Sequence, residues 1–326
     1  MVRCSVVIRA CNEEKHIARL LTGIFQQTVP ELEVVLVDSG STDATVAIAS
    51  RYPLRVLHLP RHEFTFGRSL NFGLSHTTGE FVVIASAHVY PIYADWITQL
   101  LRPFADPQVA LSYGKQRGDD VTRYSEHRVF KRWFPERSVS VQDHPFCNNA
   151  NAAIRRSVWE HLRYDESLTG LEDLDWAHRA LARGHKLSYV ADAVVAHVHE
   201  ETHSRIYNRY YREALALKQI FPHEHFGLRE FARVLAGNVL SDCYHALHDR
   251  KLSAELAGIV GFRLMQFLGT YRGFAQKTRV TSELKEKFYY PASIAPPKAA
   301  ANSGRAIDYS DVPAVPQRPS SREHST

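Results

Sequence analysis

The sequence predicts an α/β fold, a mostly parallel β-sheet flanked by helices, with a C-terminal helical region appended. Three observations lead there. Short β-branched runs alternate with helical patterns from residue 4 to about residue 114. Each gap between runs holds a crossover helix, the connection that parallel strands require. From residue 202 to about 289 the pattern is helical alone.

Taken in order, "CSVVIRA", "LEVVLVD", "LRVLHL", "EFVVIAS" and "VALSYG" read as strands, and "EEKHIARLLTGIFQQ", "DATVAIASRY", "GRSLNFGLSHT" and "DWITQLLRPF" as the helices between them. In "VDSGSTDAT", Ser41, Thr42 or Asp43 is suited to cap the second of these helices. "HSRIYNRYYREALALKQIF" and "REFARVLAGNVLSDCYHALHDR" follow as long helices. The expected organisation is an α/β domain over 1–201, divided into halves at 1–114 and 115–201, a helical region over 202–290 and a tail over 291–326. That tail is rich in Pro, Ala and Ser and poor in large apolar groups, so disorder is expected there.

Composition narrows the classes of function. With 44% hydrophobic and 23% charged residues among 326, the chain is globular. A net charge of +5 favours phosphate-bearing ligands or an anionic membrane face, but no Lys/Arg run is interleaved with aromatics as nucleic-acid binding would need. Cys4, Cys11, Cys147 and Cys243 are too scattered for a disulfide framework or a zinc site. The N-terminal apolar run is too short for a signal peptide, and "LAGIVGFRLMQFLGTY" is too short to span a bilayer. The expected location is cytoplasmic, or peripheral at the inner face of the membrane. For the latter, "RLMQFLGTYRGFAQKTR", with Arg272, Lys277 and Arg279, reads either as a membrane-surface helix or as one packed on the rest of the protein.

In open α/β sheets ligands bind beyond the carboxyl ends of the strands. Three segments sit there: Ala10, Cys11, Asn12 and Glu13; Asp38, Ser39, Gly40 and Ser41; and Ser86, Ala87 and His88. An acidic cluster, "GLEDLDW", precedes a helical run, where acids also suit the helix dipole alone.

"SVVIRACNEEKHI", "VDSGSTDAT" and "LEDLDW", in this order, resemble a family 2 glycosyltransferase with the GT-A fold over roughly residues 3 to 200. The resemblance implies an inverting, non-processive transfer of a sugar from a UDP- or dTDP-sugar to a hydroxyl of a glycan or lipid-linked glycan in polysaccharide biosynthesis. "HVHEETHSRIYNRYYREA" looks most like rhamnosyltransferase-type relatives, which would make the donor a dTDP-sugar. The resemblance places the donor against Ala10, Asn12, Glu13, Asp38, Ser41, Arg68, Asn71, Ser86, Ala87 and His88. It gives the catalytic base to Asp173 supported by Glu172, and the acceptor to Asn149, Asp175 and Trp176. Asp38 would accept from the N3–H of uracil or thymine, and Arg68 is otherwise a solvated helix residue.

One departure is plain. Where most of the family has Asp-x-Asp, this chain has Ser86, Ala87 and His88. A divalent cation, Mn2+ or Mg2+, would then fall to His88 with His197 and His199, although neutral imidazole suits Mg2+ poorly. Otherwise His88 meets phosphate or ribose directly, or only packs. Arg155 and Arg156 are available for the leaving diphosphate. Two alternatives from other classes are an inert nucleotide-sugar-binding scaffold, raised by the missing Asp-x-Asp, and a sugar-phosphate nucleotidyltransferase, which would show a Gly-rich loop after the first strand.

Overall fold

The computed structural model describes residues 4–276. Lys277, Arg279 and the tail expected at 291–326 lie outside the described residues. The strands are β1 (Cys4–Ala10), β2 (Leu32–Asp38), β3 (Arg55–His58), β4 (Phe81–Ser86), β5 (Val89–Pro91), β6 (Val109–Arg117), β7 (Val139–Gln142), β8 (Asn151–Arg155) and β9 (Lys186–His197). The α-helices are α1 (Ile17–Phe25), α2 (Thr45–Ala49), α3 (Phe66–Ser75), α4 (Trp96–Leu101), α5 (Tyr124–Trp133), α6 (Arg156–His161), α7 (Glu172–Leu181), α8 (His203–Ile220), α9 (Leu228–His248) and α10 (Leu252–Ala275).

The strands form one sheet in the order β3-β2-β1-β4-β8-β6-β9-β5, with β7 also on β9. The first half is parallel as expected: β1 lies between β2 and β4, and β2 pairs with β3. The second half is mixed. β8 inserts antiparallel between β4 and β6, so the two strands that follow one another as "EFVVIAS" and "VALSYG" are not neighbours. Alternation of side chains splits the core between the two faces. Val6 and Ile8 of β1 pack with Leu20, Leu21 and Ile24 of α1 and Trp96 of α4. Val7 packs on the other face with Leu70 and Leu74 of α3 and Trp176 of α7.

Two helix starts differ from expectation, for one reason. The acids and hydroxyls expected in first turns are used across the chain instead. α1 begins at Ile17 because Asn12 takes φ 57° and Glu14 accepts from the N–H of Ala44 at 2.9 Å. α2 begins at Thr45, with Ala44 at its N-cap, because Asp43 sets one oxygen across the chain on Glu14 N–H at 3.1 Å and keeps only the other for Thr45 N–H at 3.0 Å.

Helices α8 to α10 pack together. A Cβ at Gly269 would lie 2.5 Å from the Tyr207 carbonyl, so α10 lies close against α8. Arg263, buried in α10, forms ion pairs with Asp242 of α9 at 2.7 Å. The stretch weighed as a membrane-surface helix is therefore packed against its neighbours over its described length. No helix among the described residues is long and apolar enough to cross a membrane.

Candidate active site

Two clusters meet beyond the carboxyl ends of β1, β2 and β4. The first is the donor edge. β1 and β2 run in register to Ala10 opposite Asp38. Ala10 is buried at the strand end. Asn12 accepts from Thr42 N–H at 2.8 Å, and its own N–H donates to Ser41 Oγ at 2.9 Å, so the loops after β1 and β2 are tied together. Asp38 is buried and accepts from Ser41 N–H at 3.1 Å, Gly40 N–H at 3.3 Å and His58 Nδ1 at 3.3 Å. A carboxylate offers about four acceptor directions, so one more donor is within its capacity.

Ser86 ends β4, half-buried and in register with Arg9, and Ala87 is buried behind it. His88 follows, in the turn to β5. β5 pairs antiparallel with β9 through Val89 and His197, and Val198 N–H donates to the His88 carbonyl at 3.0 Å. This pairing carries His88 to the end of β9, where it meets His197 and His199. The ring centroids lie 5.0 Å (His88 to His197), 5.9 Å (His88 to His199) and 4.0 Å (His197 to His199) apart. One ring nitrogen from each histidine lies within 4.8 Å of the others.

Charge around the rings is uneven. Burial works hardest on His88, toward a lower pKa, but the charge of Glu13 and its hydrogen bond, with Glu201 beyond, raise it above the ordinary value. Burial, with the neighbouring His199 and His88, holds His197 well below its ordinary value. Burial alone would raise the Glu126 carboxyl, yet His199 and Arg209 hold it down at about 2.

The second cluster is acidic. Leu171 takes the left-handed conformation at φ 54°, a strained one for leucine, and swings the chain into α7 with Glu172 and Asp173 turned inward. Asp173 is 9% exposed and accepts from Asn149 N–H at 3.0 Å and Leu174 N–H at 2.8 Å. Burial, then the charge of Glu172, raises its pKa to about 7 against the pull of these N–H groups and Arg9. Glu172 accepts from Arg9 Nη1 at 3.0 Å. Because Arg9 is in register with Ser86, the acid pair lies against the same strand ends as the donor edge.

Several expected residues serve otherwise. Asn71 has both N–H groups on the Tyr164 carbonyl and Glu166, and its oxygen on Trp159 Nε1 and Tyr164 N–H, so its capacity is spent inside the protein. Arg68 is exposed and paired with Glu63. Trp176 is wholly buried in the core, because its face of α7 packs on the sheet. Asp175 pairs with Arg179 one turn on at 2.6 Å. Asn149, 1% exposed, holds the acid pair and lies too deep to meet an acceptor directly. Arg155 and Arg156 are at the wrong end of the sheet: Arg155 is opposite Phe81, where β4 begins, and donates to the Val109, Phe104 and Asp106 carbonyls.

Sequence reasoning missed Arg9, Gln116, Glu126, Glu201 and Arg209. Arg209 of α8 donates to Glu126 at 2.8 Å and Glu201 at 2.6 Å. The stretch "HVHEETH" held Glu201 in plain view, but nothing local marks Gln116 or Glu126 as partners of histidines more than seventy residues away.

The model of the family described as Glycosyl transferase family 2 matches residues 5–163. The O-antigen chain rhamnosyltransferase RfbN of Salmonella typhimurium is 26% identical over 223 residues, 64% of this chain and 71% of that protein. WbaN, an O-antigen chain rhamnosyltransferase of Salmonella anatum, is 28% identical over 198 residues. That match covers 57% of this chain and 62% of WbaN, so the chain spans less than two thirds of that relative's length. Among solved structures, the mannosyltransferase PcManGT from Pyrobaculum calidifontis in complex with GDP-Man and Mn2+ is similar with a TM-score of 0.57 and 21% identity, covering 90% of this chain and 88% of that one. S. aureus TarS 1-349 in complex with UDP has a TM-score of 0.50 and 18% identity, covering 94% and 100%. These likenesses show the GT-A fold.

Proposed function

We propose, from the match of residues 5–163 to the model of Glycosyl transferase family 2, an inverting, non-processive sugar transfer. The donor is a UDP- or dTDP-sugar and the acceptor a hydroxyl of a glycan or lipid-linked glycan in polysaccharide biosynthesis. The two rhamnosyltransferases among its relatives favour a dTDP-sugar. One observation carries the reading: the buried Glu172 and Asp173 pair is anchored by Arg9 to the strand ends where Asp38 and His88 stand. The proposed proton acceptor and the proposed donor edge thus stand at the same strand ends.

In this mechanism the acceptor hydroxyl gives its proton to Asp173 as its oxygen bonds to the anomeric carbon. The bond from that carbon to the diphosphate oxygen breaks on the opposite face, and the nucleoside diphosphate leaves. An Asp173 carboxyl raised to about 7 suits the task, since a base poised near neutrality is both available and strong enough. Glu172, held by Arg9, keeps negative charge beside it. Asn149 fixes the carboxylate through its backbone N–H. Asp38 accepts from the base N3–H, which cytosine lacks.

The chain's own donors fit a divalent cation. His197 Nε2 is buried without a partner among the described residues, and the three imidazoles place nitrogens together. When bound there, a cation supplies positive charge to the leaving diphosphate. Mn2+ fits a nitrogen site of this kind better than Mg2+.

The test separates binding from turnover. With a dTDP- or UDP-sugar and a lipid-linked glycan acceptor, Asp173→Asn is expected to bind nucleotide like the wild type while transfer falls roughly 10²-fold or more. Transfer by Asp173→Asn at the wild-type rate would take the base away from Asp173.

A further inference from the structure

Three imidazoles face the proposed cation position, and each is gripped from behind. His88 Nδ1 donates to Glu13 Oε1 at 2.8 Å, His197 Nδ1 to Gln116 Oε1 at 2.7 Å and His199 Nδ1 to Glu126 Oε1 at 2.6 Å. The three partners come from separate parts of the chain: the loop after β1, strand β6 and helix α5. One ring nitrogen is thus engaged in every case, which leaves Nε2 as the nitrogen available to a ligand.

His197 makes the point sharpest. The Gln116 oxygen can only accept, so Nδ1 of His197 carries the proton and a neutral ring presents a lone pair at Nε2. That Nε2 has no partner among the described residues, and His197 is only 5% exposed. A buried acceptor left unpaired loses the hydrogen bond it had in water and gains nothing in return. Its neighbours are two more imidazoles, whose ring nitrogens lie within 4.8 Å. Hydrogen bonding of the outer nitrogen to a carboxylate or amide is the usual way a protein orients a metal-ligating histidine and fixes its tautomer. The adjacent group of Glu126, His199 and Glu201 does not compete as a second centre, because Arg209 already pairs with both carboxylates.

Donor chemistry decides which cation fits. Mg2+ demands oxygen ligands in near-ideal octahedral array and gives up water reluctantly. Imidazole suits Zn2+, Co2+ and their neighbours. We propose that His88, His197 and His199 form a three-nitrogen centre, ligating through Nε2, that takes a borderline first-row cation such as Co2+ or Zn2+ and rejects Mg2+, with Glu13, Gln116 and Glu126 as positioning residues. The inference rests on the transferase reading for the ion's use at the diphosphate, but not for its binding. Glu13 thereby passes from donor contact to orienting His88.

The full chain, freed of metal by dialysis against a chelator, is titrated with Co2+ and followed by visible absorption, then back-titrated with Zn2+ and, separately, Mg2+. One Co2+ per chain is expected, with ligand-field bands that Zn2+ abolishes and millimolar Mg2+ leaves unchanged. Gln116→Leu is expected to lower Co2+ affinity roughly 10- to 100-fold, while Gln116→Glu, which keeps an acceptor on His197 Nδ1, retains it. His88→Ala, at the more exposed ring, removes a ligand without opening the core. Mg2+ binding on a par with Co2+, or Co2+ affinity unchanged in both His88→Ala and Gln116→Leu, overturns the proposal. Calorimetry with UDP and dTDP in chelator separates the two failures. Nucleotide binding by a chain with no Co2+ site keeps the transferase and removes the centre. A Co2+ site in a chain that binds neither nucleotide keeps the centre and removes the transferase reading.

Discussion

Asp173→Asn tests the electrostatics of the acid pair through stability, independently of any substrate. In the folded chain burial and Glu172 raise the Asp173 carboxyl from its ordinary 3.8 to about 7. The folded state therefore holds the proton more tightly than the unfolded one. Its contribution to stability is complete below the unfolded value and is lost as pH rises through about 7. Each pH unit in that interval is worth about 1.4 kcal/mol. From about pH 5 to about pH 8 the wild type crosses roughly two such units, and so loses roughly 2–3 kcal/mol relative to a variant that cannot titrate there. The amide brings a cost of its own. Its single oxygen can satisfy only one of the Asn149 and Leu174 N–H groups, a penalty of about 1–3 kcal/mol that is the same at every pH. The slope, and not the offset, is the readout. Urea denaturation of both proteins at the two pH values should show the variant gaining on the wild type by roughly 2–3 kcal/mol as pH rises. A difference between the two proteins that stays constant with pH would refute the raised carboxyl, and with it the argument that Asp173 is poised as a base.

Two further outcomes follow from the geometry. Asp38→Ala removes the acceptor placed for the base N3–H, and calorimetry should show UDP and dTDP affinity falling roughly tenfold or more, with CDP weak in both proteins. Equal binding of CDP and UDP by the wild type would dismiss that contact. Asp242→Ala strands the buried Arg263 guanidinium, 4% exposed, and thermal or urea unfolding should register a loss of about 3–5 kcal/mol.

Local signals carried most of the first half of the fold into the sequence. "VVLVD" and "FVVIAS" are β-branched runs between turns, and their strand ends lie where alternation of strand and helix places them. The histidines were legible too, since His197 and His199 are two residues apart and His88 ends a strand pattern. What the sequence could not display was pairing at a distance. β8 lies between β4 and β6 because of strand order, and order has no local signature. Asn71 and Trp176 sit within motifs and look available, yet their polar atoms are spent on Tyr164, Glu166 and Leu162, partners chosen by tertiary packing. Arg9 interrupts an apolar strand without any local partner in the sequence, and only the turn of α7 supplies its carboxylate.

The helical region is where this matters most for function. By sequence it is an appendage, beginning after the last β-type run. By geometry its first helix reaches the histidine cluster. Arg209 of α8, its side chain 18% exposed, spans Glu126 and Glu201, and Glu126 in turn holds His199 by Nδ1. A carboxylate buried as deeply as Glu126, at 2%, is stable as an ion only with cationic partners, and Arg209 is the one that is charged at every accessible pH. The chain from Arg209 to Glu126 to His199 makes α8 a wall of the histidine cluster. α10, packed on α8 at Gly269 and pinned to α9 through Arg263, holds that wall in place. Stability in the helical bundle and the aim of the His199 ring are therefore one physical property of the chain, so that loosening the bundle disturbs the cleft without altering any residue that faces it.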